Sequence, residues 1–221
     1  MAKFRSYKLL CPIARGLDRV GDRWTLLILR DLHAGPARFT DLQRGLTGIA
    51  ANLLTDRLTQ LLDDGLVETT EGPRSTALYE LTELGRKTRD IIFELAMFGA
   101  RFPTDGETVE PGNLRTVAVT LGAAAERVDA SDLSVTASMI VDGEQMEVQA
   151  KNGSASVSYR PAKDPDVVLR TSYEALMALS EQEMTDEAFL QEHAEVEVHV
   201  PGKEIELAKL FTLFLVVFRD R

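Results

Sequence analysis

Residues 39–82 read FTDLQRGLTGIAANLLTDRLTQLLDDGLVETTEGPRSTALYELT, and the apolar period changes once along them. Up to Asp64 the apolar positions recur every three or four residues, first Phe39, Leu42 and Leu46, then Leu54, Leu58, Leu61 and Leu62. That spacing draws one apolar stripe along a helix. It predicts a short helix capped by Thr40 and a second from about Ala50 to Asp64, joined by a Thr47-Gly48 turn and stopped by Gly65. Beyond Gly65 the pattern becomes that of extended chain. Leu66, Val67, Thr69 and Thr70 suit a strand, residues 71–76 a turn, and Leu78, Tyr79 and Leu81 a returning strand. Helix, glycine turn, helix and hairpin in this order predict a winged helix-turn-helix, a motif whose second helix enters the DNA major groove.

Upstream, Pro12 suits the first turn of a helix bearing Ile13, Leu17 and Val20. Gly21-Asp22 interrupts it. The next helix begins near Arg23 and carries Trp24, Leu27, Ile28 and Leu32 as far as Gly35-Pro36. Downstream, Thr82 caps a long helix with Ile91, Ile92, Leu95 and Phe98 on its apolar side. Residues 102–113, FPTDGETVEPGN, have neither period and read as a linker between a first domain, 1–101, and a second, 114–221.

On a helix over 50–64, Asn52, Asp56, Thr59 and Asp63 lie opposite the leucines, with Thr55 alongside. Asn can form a forked pair with adenine and Asp can accept from the amino group of cytosine. Asp63 is too near the helix end to reach a base. Arg38, Arg44, Arg57 and Arg74 are candidates for phosphate or groove contacts, Arg74 at the tip of the wing, and Thr40 starts the helix before the turn. The bland alternatives are a solvated polar face and surface arginines held in ion pairs within the chain.

These residues stand in a longer pattern: Cys11-Pro12, Gly21-x-x-Trp24, residues 26–29 LLIL, Gly35-Pro36, Arg38-Phe39, Leu42, Gly48-Ile49, Leu54-Thr55, Arg57-Leu58, Asp64-Gly65-Leu66 and Tyr79-x-Leu81-Thr82-x-x-Gly85. In order and spacing it resembles the HxlR-type transcriptional regulators, relatives of the MarR type, over roughly residues 9–98. The resemblance implies a dimeric DNA-binding protein that reads a double-stranded operator. That family usually caps its recognition helix with a hydroxyl residue where this chain has Ala50, a difference of about 1 kcal/mol, and its recognition helix is usually more basic. Some members use a cysteine at the position of Cys11 as a redox or electrophile sensor. Cys11 precedes Pro12 with Lys8 and Arg15 nearby, and a helix N-terminus with cations raises thiol reactivity. It also suits a small buried apolar position.

In the second domain, residues 114–130 are ambiguous: TVAVTL alternates like a strand, whereas LGAAAERV reads as helix. From Leu133 the alternation is regular through Val135, Ala137, Met139 and Val141, then Met146, Val148 and Ala150, then Ala155, Val157 and Tyr159. Asp142-Gly143 and Asn152-Gly153 are hairpin turns, so an antiparallel meander with one apolar face is expected. A strand near residues 167–170, a helix capped by Ser172 with Tyr173, Leu176 and Met177, a short helix from Thr185 and a strand with Val196, Val198 and Val200 follow. The last helix is apolar on nearly every side (Leu207, Leu210, Phe211, Phe214, Phe218), so it must be covered all round or line a cavity. The segments DGEQMEVQAKNGSASVSY and DPDVVLRTSYEALMAL, with this order of elements, resemble the sterol carrier protein domain. The resemblance implies an apolar tunnel for a lipid or other hydrophobic molecule. The apolar sides of the meander, of the Ser172 helix and of the last helix offer Met139, Val148, Val157, Tyr173, Met177, Leu210, Phe211 and Phe214 as the expected ligand contacts.

Composition bounds the reading. The chain has 221 residues and a net charge of −10, but the charge is divided. Residues 1–104 carry 15 Lys/Arg against 13 Asp/Glu, and residues 105–221 carry 10 against 22. Twelve of the first 15 cations are arginines, the side chain suited to forked phosphate contacts, so a DNA-binding first part beside an acidic second part is allowed. The apolar run 210–218 is too short to span a bilayer and residues 1–8 lack a secretion signal, so a cytoplasmic location is expected. One cysteine excludes an internal disulfide, and the scattered histidines argue against zinc. No nucleophile–base pair, phosphate loop or metal cluster points to an enzyme, and no cofactor is expected.

The sequence therefore predicts an α+β chain: a mostly helical winged helix-turn-helix, then an α+β domain with an antiparallel sheet and an apolar cavity. The function expected is a homodimeric, one-component transcriptional regulator with a hydrophobic small-molecule or lipid effector. The alternatives are a lipid carrier that uses the winged helix only to dimerise, and a redox regulator acting through Cys11. The linker is the expected route between effector and DNA.

Overall fold

The computed structural model describes residues 6–102, 111–180 and 183–219. The chain divides into two compact units, Met1–Thr116 and Val117–Arg221. The linker expected over 102–113 falls largely on residues 103–110, outside the described residues.

The first unit runs α1 (Pro12–Val20), α2 (Thr25–His33), α3 (Phe39–Gly45), α4 (Ala51–Asp63), β1 (Val67–Gly72), β2 (Thr76–Leu81), α5 (Glu83–Arg86) and α6 (Arg89–Gly99). Its core is Ile28, Leu29 and Leu32 of α2, Leu42 and Leu46 around α3, Leu54, Leu58 and Leu61 of α4, with Leu66, Val67 and Leu81 from the hairpin. The three- and four-residue spacing of the leucines places them on one side of each helix, which is why the three helices close on each other. Gly65, at φ +67°, ends α4: its N–H reaches Leu62 O at 3.0 Å and that of Leu66 reaches Leu61 O at 3.0 Å, satisfying carbonyls the helix leaves open. β1 and β2 pair antiparallel from Val67↔Leu81 to Gly72↔Thr76.

Several details differ from the sequence expectation. Thr40 lies inside the first turn of α3 and does not cap it; Asp41 Oδ2 instead accepts from the Arg38 N–H at 3.2 Å. Leu27 is exposed, and Leu29 takes its place in the core. Thr82 does cap a helix, accepting from the Gly85 N–H at 3.0 Å, but that helix stops at Arg86. The break occurs where the Thr88 hydroxyl donates to Gly85 O at 2.7 Å, and a separate helix restarts at Arg89. On α6 the inward residue is Phe93, whereas Ile91, Leu95 and Phe98 are 53%, 50% and 60% exposed.

The second unit takes in most of α7 (Arg115–Ala125), then β3 (Val135–Val141), β4 (Glu144–Lys151), β5 (Ser154–Ser158), β6 (Val167–Thr171), α8 (Tyr173–Ser180), α9 (Asp186–Ala188), β7 (Glu195–Val198) and α10 (Lys203–Arg219). Residues 115–125 are helical throughout, so the strand reading of TVAVTL fails: its alternation was too short to override the helix-forming alanines around it. The sheet order is β5-β4-β3-β6-β7. The hairpins β3–β4 and β4–β5 turn where expected, with Asp142, Gly143, Asn152 and Gly153 all at positive φ. The sheet is not purely antiparallel, because β6 pairs parallel to β3, Ala137↔Val167 through Val141↔Thr171. Periodicity marks strands but carries nothing about the direction in which a distant strand returns.

Candidate nucleic-acid interface

The geometry of α4 starts from its buried side. With Leu54, Leu58 and Leu61 in the core, the helix period turns Asn52, Thr55, Asp56 and Thr59 to solvent, and all four are exposed. Two ion pairs fix α4 from behind. Arg57 Nη2 lies 2.6 Å from Asp22 Oδ2 in the α1–α2 turn, and Arg19 Nη1 of α1 lies 2.6 Å from Asp64 Oδ1 at the end of α4. Arg57 is largely buried in that pair, where it braces the helix, the ion-paired alternative the sequence left open. The Thr55 hydroxyl donates to Ala51 O and that of Thr59 to Thr55 O, both at 2.9 Å, which leaves these oxygens as acceptors toward anything outside. Ala50, extended at φ −73° and ψ 141°, supplies no side-chain cap.

Beside α4 stand the wing and α3. Arg74 is exposed in the turn Pro73–Ser75 between β1 and β2, at φ +60°, and Ser75 follows at φ +57°. Ala37 pairs with Tyr79 of the wing through both backbone bonds, Ala37 N–H to Tyr79 O at 3.0 Å and Tyr79 N–H to Ala37 O at 2.8 Å. This bridge holds exposed Arg38 and Thr40 next to the hairpin. Arg38, Arg44 and Arg74 form no ion pair among the described residues, so their charge is uncompensated at the surface.

A buried polar cluster behind this face had no signal in the sequence reading. His33 Nε2 lies 3.0 Å from Thr88 Oγ1, and Arg89 Nε donates to His33 Nδ1 at 3.4 Å. Since the Thr88 hydroxyl proton goes to Gly85 O, it accepts from Nε2–H, and the imidazole is neutral. Burial, with the guanidinium groups of Arg89 and Arg86 beside it, pushes His33 down to about 4. Cys11, a free thiol, is half-buried just ahead of Pro12.

The HxlR-like helix-turn-helix family matches residues 19–106. An uncharacterized HTH-type transcriptional regulator of Mycobacterium tuberculosis strain H37Rv is 40% identical over 93 residues, 41% of this chain and 58% of that protein. YtfH of Escherichia coli K12, also an uncharacterized HTH-type transcriptional regulator, is 34% identical over 88 residues, 39% of this chain and 70% of YtfH. The chain belongs to the HxlR-like helix-turn-helix family. A solved structure of the reduced form of the transcriptional regulator YodB from Bacillus subtilis is 27% identical, covering 45% of this chain and 100% of YodB, at a TM-score of 0.38. The HxlR-like match to the mycobacterial relatives spans 58% of their length.

In the second unit, the expected ligand residues fall into three groups. Met139, Val148 and Val157 are buried on one sheet face, with Val148 opposite Val157 across β4–β5 and Met139 opposite Met146 across β3–β4. Leu210 and Phe214 are buried on α10, which packs against β3, β6 and β7, and the ring of Phe211 meets that of Phe214 edge-on at 5.8 Å. Tyr173 and Met177 are half-buried on α8. Val196 and Val198 share the apolar face by register with Leu169 and Val167 but stay exposed on the edge strand β7. No helix among the described residues is long and apolar enough to cross a membrane, and no three metal-ligating side chains among them converge.

Proposed function

We propose that the protein is a homodimeric transcription regulator that reads a double-stranded operator with α4 and the wing. The observation that carries this is the two-sided α4: leucines locked in the core, Asn52 and Asp56 exposed opposite them, and Arg74 uncompensated on the adjacent wing. Asn52 is the residue assigned to adenine, Arg38, Thr40 and Arg74 to the backbone or minor groove, and Thr55 and Asp56 to acceptor contacts with exposed amino groups. Dimerisation through α1 and α6 is supported by their exposed Ile13, Leu17, Ile91, Leu95 and Phe98.

The second unit fits a sterol-carrier-like domain that binds an apolar effector between the Met139–Val148–Val157 face and the Leu210, Phe211 and Phe214 side of α10, with Tyr173 and Met177 at the margin. The support is a sheet face that is apolar across β5, β4 and β3 and a terminal helix apolar on most sides. The test has two arms. The full chain should prefer a duplex selected from a random-sequence pool over its scrambled counterpart, and fatty acids or sterols should raise its melting temperature. Ligand binding without any DNA preference would leave a carrier that uses the winged helix to dimerise. Loss of an oxidant response in Cys11→Ser would add the redox reading, which the position of Cys11 ahead of Pro12 favours.

A further inference from the structure

Residues 112–115 return to the winged helix and hold it at several points, all within the first unit. Arg115 is buried, and its guanidinium reaches three backbone carbonyls: Nε donates to Asp31 O at 3.0 Å, and Nη2 donates to Gly35 O and, at 3.3 Å, to Pro36 O. Asn113, also buried, donates from Nδ2 to Asp41 O at 2.9 Å and accepts the Arg115 N–H at 3.3 Å. The fit is close. A Cβ on Gly112 would lie 2.0 Å from Arg44 O, and one on Gly45 would lie 2.7 Å from Asn113 Nδ2 and 2.9 Å from Asp31 Oδ2. Asp31 is itself buried, with Oδ1 held by Arg30 and Oδ2 without a donor.

These contacts converge on one segment. Residues 35–38 link α2 to α3; Arg115 holds its carbonyls at 35 and 36, and Tyr79 of the wing holds both backbone groups of Ala37. Arg38 and the start of α3 follow directly. A buried guanidinium that satisfies three main-chain acceptors fixes backbone position more firmly than apolar packing does, because each lost bond leaves a buried carbonyl unpaired. Arg115 is also the first residue of α7, which continues without a break to Ala125, past the limit of the first unit at Thr116.

We propose that Asn113 and Arg115 are positioning residues for DNA recognition, setting the α2–α3 connection, and so Arg38 and α3 against the wing, from the first turn of α7. The inference rests on the DNA-reading function proposed above. The test uses full-length Arg115→Gln, Arg115→Lys and Asn113→Ala, with affinities for the selected and scrambled duplexes and the melting temperature of each. Partial unfolding lowers both affinities by one factor and leaves their ratio unchanged; a displaced α2–α3 connection changes the ratio. Arg115→Gln should reduce the selected-over-scrambled ratio by roughly 5- to 150-fold, the usual scale of coupling between sites, with partial recovery in Arg115→Lys. If Arg115→Gln does not fold, Asn113→Ala, which removes a single side chain's bonds, should still lower the ratio. An unchanged ratio in the variants that fold, beside a wild type that prefers the selected duplex, overturns the clasp alone. A wild type without preference overturns the DNA-reading function and the clasp with it.

Discussion

His33 should make the winged helix sensitive to acid. In the unfolded chain the imidazole takes up its proton near 6.5, and in the fold only at about 4. Between those values the unfolded chain holds one more proton than the folded one, so stability rises with pH there. The contribution is complete above 6.5 and is lost as pH falls toward 4. At roughly 1.4 kcal/mol per pH unit the interval amounts to at most about 3 kcal/mol. Structurally, protonation puts a hydrogen on Nδ1, which faces Arg89 at 3.4 Å, and sets a cation beside the Arg89 and Arg86 guanidinium groups. His33→Gln supplies an amide N–H for Thr88 and an oxygen for Arg89 but does not titrate. Asp31, which burial raises above the ordinary carboxylate range, acts with the opposite sign, so wild type and variant must be compared at each pH. Urea denaturation from neutral pH to about 4.5 should show wild type losing about 2–3 kcal/mol relative to His33→Gln. Parallel stability profiles, or an NMR titration that finds His33 near 6.5, would refute the buried neutral imidazole.

Asn52→Ala should lower the preference for the selected duplex, whereas Arg74→Ala should weaken binding to every duplex and flatten its salt dependence by about one counterion; affinities over a salt series separate the two. Leu95→Glu, on the exposed side of α6, should convert the dimer proposed above to a monomer with little change in melting temperature, read by light scattering. Val157→Trp, introduced into the buried face opposite Val148, should abolish the melting shift given by fatty acids or sterols, and a shift retained in a folded variant would move the ligand away from that face.

The winged helix was legible in the sequence because its elements are defined locally. The leucine spacing of α4, Gly65, and the change of period after Gly65 each act within a few residues, and the structure places them as read. The same holds for the hairpins at Asp142-Gly143 and Asn152-Gly153, where turn chemistry sets the register. The sequence also marks Asn52, Thr55 and Asp56 as lying opposite the leucines, since one helix period decides both sides. What the tertiary structure alone decided are the pairings between distant residues. Asp22 holds Arg57 in an ion pair, β6 returns parallel to β3, and Thr88 breaks the helix expected after Thr82 as it receives His33 from α2. Arg115 and Asn113, lying in or just beyond a segment without period, meet Asp31, Gly35 and Asp41 only when the chain folds back. Periodicity records which side of an element is apolar; a buried charge or amide is placed by a partner many residues away, and no local pattern carries that information.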